Sequence, residues 1–179
     1  MSDIISFYEG NKPDAAPYSL HEIWDLPILE IETSHDIIQW LFPLNVASNV
    51  NLDAPILTQD DINAFCFMSS ECDNYIGSDN EKHNNRAELL QTNLYGSSHM
   101  FMRFLHCTSD TWCKKNNHNH LRITRMIKCL MLLELEGDAK SLYLEVLLIT
   151  KRYPNVDFSR AMSFWSKAAI GAPKQHLIG

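Results

Sequence analysis

The sequence predicts an all-α fold, a compact bundle of six or seven helices, and three observations carry that prediction. Ser or Thr followed three residues later by Glu or Asp recurs just before apolar runs, the pattern of a capped helix start. Apolar residues then return at i, i+3, i+4 and i+7, the spacing that lines one side of a helix. Period-two alternation, the mark of a half-buried strand, is nearly absent.

Taken in order, Ser19-x-x-Glu22 predicts a short helix from Leu20, with Tyr18 and Ile23 at the positions of a hydrophobic staple. Thr33-x-x-Asp36 predicts a second start before Ile37, Trp40, Leu41 and Leu44, a run that Pro43 cuts short because proline lacks the N–H a helix needs. Thr58-x-x-Asp61 predicts a third, from Gln59, with Ile62, Phe65 and Cys66 turned inward. Ser78 to Asn85 is polar throughout and reads as a loop or a frayed helix end. From Ala87 onward Leu90, Leu94, Phe101 and Leu105 recur at helical intervals, with Gly96 weakening the helix by roughly 1 kcal/mol relative to alanine. Cys107 to Asn117 reads as a polar connection punctuated by Trp112. Asn119 is placed to cap a helix through Ile123, Ile127, Leu130 and Met131, with Gly137 where a C-terminal cap belongs. Asp138 and Asp157 then start the last two helices, the first through Leu142, Val146 and Ile149, the second through Phe158, Met162, Trp165 and Ala169.

With 179 residues and 45% hydrophobic content, the chain fits one domain over 1–179, with its core at about 7–170, and needs no disulfide or metal to close it. No apolar run reaches the roughly 18 to 20 residues of a membrane span, and Met1 to Gly10 carries Asp3 and Glu9 rather than a basic, apolar signal, so a cytoplasmic location is expected. Five cysteines, Cys66, Cys72, Cys107, Cys113 and Cys129, are odd in number and never spaced as C-x-x-C, which predicts reduced thiols. Residues 1–100 hold three Lys or Arg against sixteen Asp or Glu, whereas residues 101–179 hold twelve against six. The net charge of −7 makes duplex nucleic acid a poor partner.

Two stretches go beyond helix grammar: His35-Asp36-Ile37-Ile38-Gln39-Trp40-Leu41-Phe42-Pro43-Leu44 and Asn117-His118-Asn119-His120-Leu121-Arg122-Ile123-Thr124-Arg125. With Ala54-Pro55-Ile56-Leu57-Thr58 between them and Leu133-Glu134-Leu135-Glu136 after them, they resemble in content and order the conserved domain of the opioid growth factor receptor family, over about Phe7 to Trp165. The resemblance implies a soluble, receptor-like binding module. The family's namesake is a receptor for the peptide Met-enkephalin, so a peptide or other small molecule is the implied ligand. By the same analogy, nuclear or membrane-peripheral association is implied beside the cytoplasmic location.

The candidate ligand-binding residues are His35, Asp36, Gln39 and Trp40 in the first stretch and His118, Asn119, Arg122 and Arg125 in the second. Arg122 and Arg125, three apart on one helix, suit a carboxylate or phosphate, or equally a structural ion pair. Trp40 is as well suited to a core as to a pocket. Gln39 is the odd residue, an amide inside an apolar block that must find a partner if buried. His35, His118 and His120 are the candidates for a metal, with no diagnostic spacing, and no cofactor is implied. No phosphate-binding glycine loop, H-E-x-x-H or nucleophile motif is present, so catalysis has no support beyond a His, Asp and Arg cluster. The first reading is therefore a binding module. An enzyme using that cluster, metal-dependent or not, and a structural interaction domain are the alternatives.

Overall fold

The structure, a computed structural model, describes residues 2–48, 51–66 and 78–170, the side chains of the last span from residue 81 onward. Its described residues contain ten helices and no strand, only an isolated bridge between Leu44 and Ile56. The all-α expectation therefore holds. The helix count exceeds the expected six or seven because Asp3–Tyr8, Ile28–Thr33 and Ser109–Trp112 are helices of four to six residues, too short to show a period. By contact density the chain divides into two compact units, Met1–Phe104 and Leu105–Gly179.

In the first unit α1 (Asp3–Tyr8), α2 (Leu20–Trp24), α3 (Ile28–Thr33), α4 (Ile37–Leu41) and α5 (Gln59–Phe65) precede α6 (Ser78–Cys107), which continues past the unit's last residue. The boxes at Ser19/Glu22 and Thr58/Asp61 close as predicted, each hydroxyl accepting from the N3 amide and each carboxylate accepting from the cap amide. The box expected at Thr33/Asp36 does not form. Thr33 is instead the last residue of α3, and its hydroxyl donates back to the Leu29 carbonyl at 3.0 Å, as threonines inside helices do. The helix after it still starts at Ile37, and Phe42 before Pro43 leaves helical geometry.

The stretch from Ser78 to Asn85, expected as a loop or frayed end, is the start of α6. Its polarity serves a helix that gives side chains to carbonyls at the ends of shorter helices. His83 Nε2 donates to the Cys66 carbonyl at 3.0 Å, Gln91 Nε2 to Phe65 at 2.6 Å and Asn93 Nδ2 to Tyr8 at 2.6 Å. These are the carbonyls that a helix end leaves without an internal partner. Gly96 is likewise no weak point. A Cβ built there would lie 2.8 Å from Cζ2 of Trp24, so glycine lets the indole rest on the backbone of α6, where its Nε1 donates to Ser97 Oγ at 3.2 Å.

In the second unit the end of α6 leads to α7 (Ser109–Trp112), α8 (Asn119–Leu132), α9 (Glu136–Thr150) and α10 (Ser159–Ile170). The polar connection expected from Cys107 to Asn117 thus contains one helical turn. Helix α8 packs against both α9 and α10, which also touch each other. Its buried Ile123, Met126, Ile127 and Leu130 trace the expected apolar side. Gly137 does not end this helix and lies in the first turn of α9; Glu134 takes the left-handed conformation at φ 61° instead. The Leu135 amide donates to Leu130 at 2.9 Å and the Glu134 amide to Met131 at 3.3 Å, which together make a Schellman ending. Asp157 accepts from the Ser159 amide at 3.0 Å, as a cap for α10 should. Asp138, expected to cap α9, lies within its first turn instead, where its charge still suits the positive helix end.

Candidate functional site

The first signature stretch builds α4, five residues long and buried at every position. So short a helix cannot be stable alone and is held by what surrounds it. Trp40 packs its ring 5.4 Å from Phe7, and Phe42 meets Phe101 edge to face at 6.2 Å. The Tyr8 hydroxyl donates to the Leu41 carbonyl. Trp40 is thus a core residue here. Gln39 is only 4% exposed, and among the described residues its Oε1 has no donor within hydrogen-bonding distance. Asp36 and His35 stand exposed at the helix start, and Asp36 Oδ1 accepts from Asn51 Nδ2 at 3.3 Å.

The second stretch opens α8. Asn117 Oδ1 accepts from the Asn119 amide at 2.8 Å, so the capping side chain is Asn117, two residues before the one expected. His118 is exposed. Asn119 and Arg122 are buried and joined, with Nη1 donating to Oδ1 at 3.2 Å. Burial also draws the half-buried Arg125 below the usual guanidinium pKa. His120 is enclosed by rings, with centroids 6.1 Å to Trp112, 5.7 Å to Phe158 and 5.6 Å to Trp165. Its Nε2 donates to the Trp112 carbonyl at 3.2 Å, while its own carbonyl accepts from Trp165 Nε1 at 3.0 Å and from Thr124 Oγ1 at 2.8 Å. Burial lowers the pKa of His120 and keeps the ring neutral.

The stretches therefore contribute exposed polar groups (His35, Asp36, His118) and buried ones (Gln39, Asn119, Arg122). Among the described residues no three His, Cys, Asp or Glu side chains gather as metal ligands. Four cysteines are free thiols. Burial pushes Cys113 and Cys129 up to about 12, so neither is a thiolate nucleophile at neutral pH. Cys107 is exposed, and Cys72 lies outside the described residues.

Two further polar groupings bring together residues distant in sequence. In the first unit a cleft of about 290 Å³ is lined by Ser2, Ile5, Thr58, Asp60, Asp61, Ala64 and Arg86. There Arg86 Nε holds Glu9 at 2.6 Å, and the buried Asp61 accepts from Ser2 and Thr58. In the second unit His106 Nε2 donates to Glu145 at 2.8 Å while Nδ1 accepts from Arg152 at 3.4 Å. Residues so far apart in sequence form no local motif, and only the capping pair Thr58/Asp61 was marked beforehand.

The described residues thus define an all-α protein with two polar-bearing signature helices and no helix long and apolar enough to cross a membrane. The chain matches the opioid growth factor receptor (OGFr) conserved region over residues 4–176 and belongs to that family. No curated protein and no solved structure matches it.

Proposed function

We propose that this chain is a binding module for a peptide or other small ligand, as its membership of the opioid growth factor receptor family suggests. The observation that carries the reading is Gln39. A buried carbonyl oxygen without a donor costs about 1 to 3 kcal/mol, and an apolar residue of similar shape would avoid that cost. A ligand that brings an N–H or O–H, as every peptide does, recovers it on binding. Exposed His35 and Asp36 at the start of α4 supply further polar contacts. In the second unit His118, Asn119, Arg122 and Arg125 are the corresponding candidates for an acidic group. A second reading, a structural interaction domain, is favoured by the burial of Trp40, His120 and Arg122, which serve the cores of their own units.

Isothermal titration calorimetry with Met-enkephalin tests the first reading. The expected result is binding by the wild-type chain and about tenfold weaker binding by Gln39→Leu, with thermal stability kept or raised. Equal binding by the two proteins removes Gln39 from the site. No binding by either, with a mixed pentapeptide library equally silent, leaves the interaction-domain reading.

A further inference from the structure

Residues 142–149, the second half of α9, are apolar at seven of eight positions, more than one core-facing side of a helix can use. Leu142, Val146 and Ile149 are buried, and α8 and α10 are the helices that pack against α9. Leu144 and Leu148 are left 58% and 61% exposed, with Tyr143 and Leu147 half-buried beside them. Residues three and four apart on a helix are neighbours, so these four side chains form one apolar strip within the second unit. Glu145, the one charged residue of the run, is held by His106 Nε2 at 2.8 Å. Helix propensity does not require leucine at such positions, since Lys or Glu serves an exposed site as well, and a continuous exposed apolar strip marks an interaction surface.

The charges at the ends of the strip select its occupant. Glu136 and Asp138 are exposed before it, Lys151 and Arg152 after it. Leu144 lies eight residues from Glu136 and eight from Arg152, six from Asp138 and seven from Lys151. The pattern reversed about Leu144 is therefore its own complement. A two-fold pair demands this of a surface, because the same patch serves both sides of the contact. A partner of one charge sign meets repulsion at one end of α9. A second copy, run antiparallel, meets attraction at both ends, and its helix dipole is also opposed.

We propose that the chain forms a homodimer through α9, the two copies antiparallel, with Leu144 at the two-fold axis, Leu148 and its apolar neighbours packed around it, and the acidic start of each helix against the basic end of the other. The inference is independent of the ligand-binding reading and uses no residue of the two signature stretches. A contact made by one helix from each copy falls at the small end of protein interfaces, so the dimer is weak, with a dissociation constant of about 10 to 100 µM.

The test is sedimentation velocity of the full chain from about 5 to 500 µM, a range that brackets this affinity. The wild type is expected to pass from monomer to dimer, and Leu144→Glu, which sets two carboxylates at the axis, to stay monomeric throughout. Lys151→Glu should weaken the dimer about fivefold, and adding Glu136→Lys to it should restore the wild-type affinity, because the swap rebuilds the complement. Leu29→Glu, at a leucine of α3 that is also exposed, should leave the dimer unchanged. Circular dichroism checks that Leu144→Glu is folded; if it is not, Leu144→Ser carries the test, with about tenfold weaker association expected. A wild type that is monomeric over the whole range overturns the proposal. So does a dimer that survives Leu144→Glu or Leu144→Ser, one that Leu29→Glu abolishes as well, or a charge swap that restores nothing.

Discussion

In α8 the buried polar side chains Asn119, His120, Arg122 and Thr124 each hold a partner from the same unit, whereas in α4 the single buried polar side chain, Gln39, keeps a carbonyl oxygen that no donor among the described residues reaches. Both helices lie in signature stretches, so family resemblance does not separate them. Hydrogen bonding does. A satisfied buried polar group fixes one arrangement of a core, and its cost is already met within the fold. An unsatisfied one is a standing cost that folding alone does not explain. The comparison shows the buried polar groups of the second stretch paired within their own unit and that of the first stretch with an acceptor left over.

The largest expected effect concerns the support common to any role of α4. Trp40→Ala should lower unfolding stability by about 3 to 5 kcal/mol, read from the urea midpoint, because it empties the space against Phe7. A midpoint that hardly moves would mean the indole is not core. Next comes the satisfied side of the comparison. Asn119→Ala takes away the acceptor at 3.2 Å from a buried guanidinium and should cost about 1 to 3 kcal/mol. A loss within error would show that the Asn119–Arg122 bond carries no stability.

His120 provides a pH-dependent measure of the same architecture. Its pKa is lowered from 6.5 by burial, so the folded unit binds fewer protons than the unfolded chain as pH falls through 6.5 toward the folded value. Stability present above pH 6.5 is lost through that window, by at most about 1.4 kcal/mol per pH unit, and the loss levels off below the folded pKa. Urea midpoints at several pH values, for wild type and for His120→Gln, should show this slope only in the wild type. Identical slopes would place the proton elsewhere. The smallest change is expected on the unsatisfied side: Gln39→Leu should shift stability by about 1 kcal/mol or less, in the stabilising direction. A clear destabilisation would show that the amide is satisfied after all and would erase the contrast.

Much of this was legible where the signal is local. Ser19/Glu22, Thr58/Asp61 and Asp157 announced their helix starts because a cap and its target lie two or three residues apart. The failures were places where distant parts of the chain decide. Thr33 has the same residue spacing as a cap, but the helix before it claims its hydroxyl. Gly137 had the right residue type for a C-terminal cap, yet Glu134 bears the positive φ, since the Schellman bonds can be made by a non-glycine residue at a modest cost. Ser78 to Asn85 looked like a loop because its partners, Cys66 among them, are remote. Of the candidate site residues, the sequence singled out Gln39 as the telling one, but burial and the missing donor are facts of packing that no spacing encodes.

The carbonyl-holding side chains of α6 also bear on how the first unit comes together. The bonds Arg86 to Glu9, Asn93 to Tyr8 and Trp24 to Ser97 join residues 77, 85 and 73 positions apart. Contacts of that reach must close long loops before they return any stability, and they slow folding accordingly. During synthesis at about 5 to 20 residues per second, α1 and α2 emerge several seconds before the part of α6 that secures them. The apolar surfaces of Phe7, Tyr8 and Trp24 stand open over that interval, so the nascent first unit is the segment on which a chaperone would act, while α8 to α10 assemble from near neighbours.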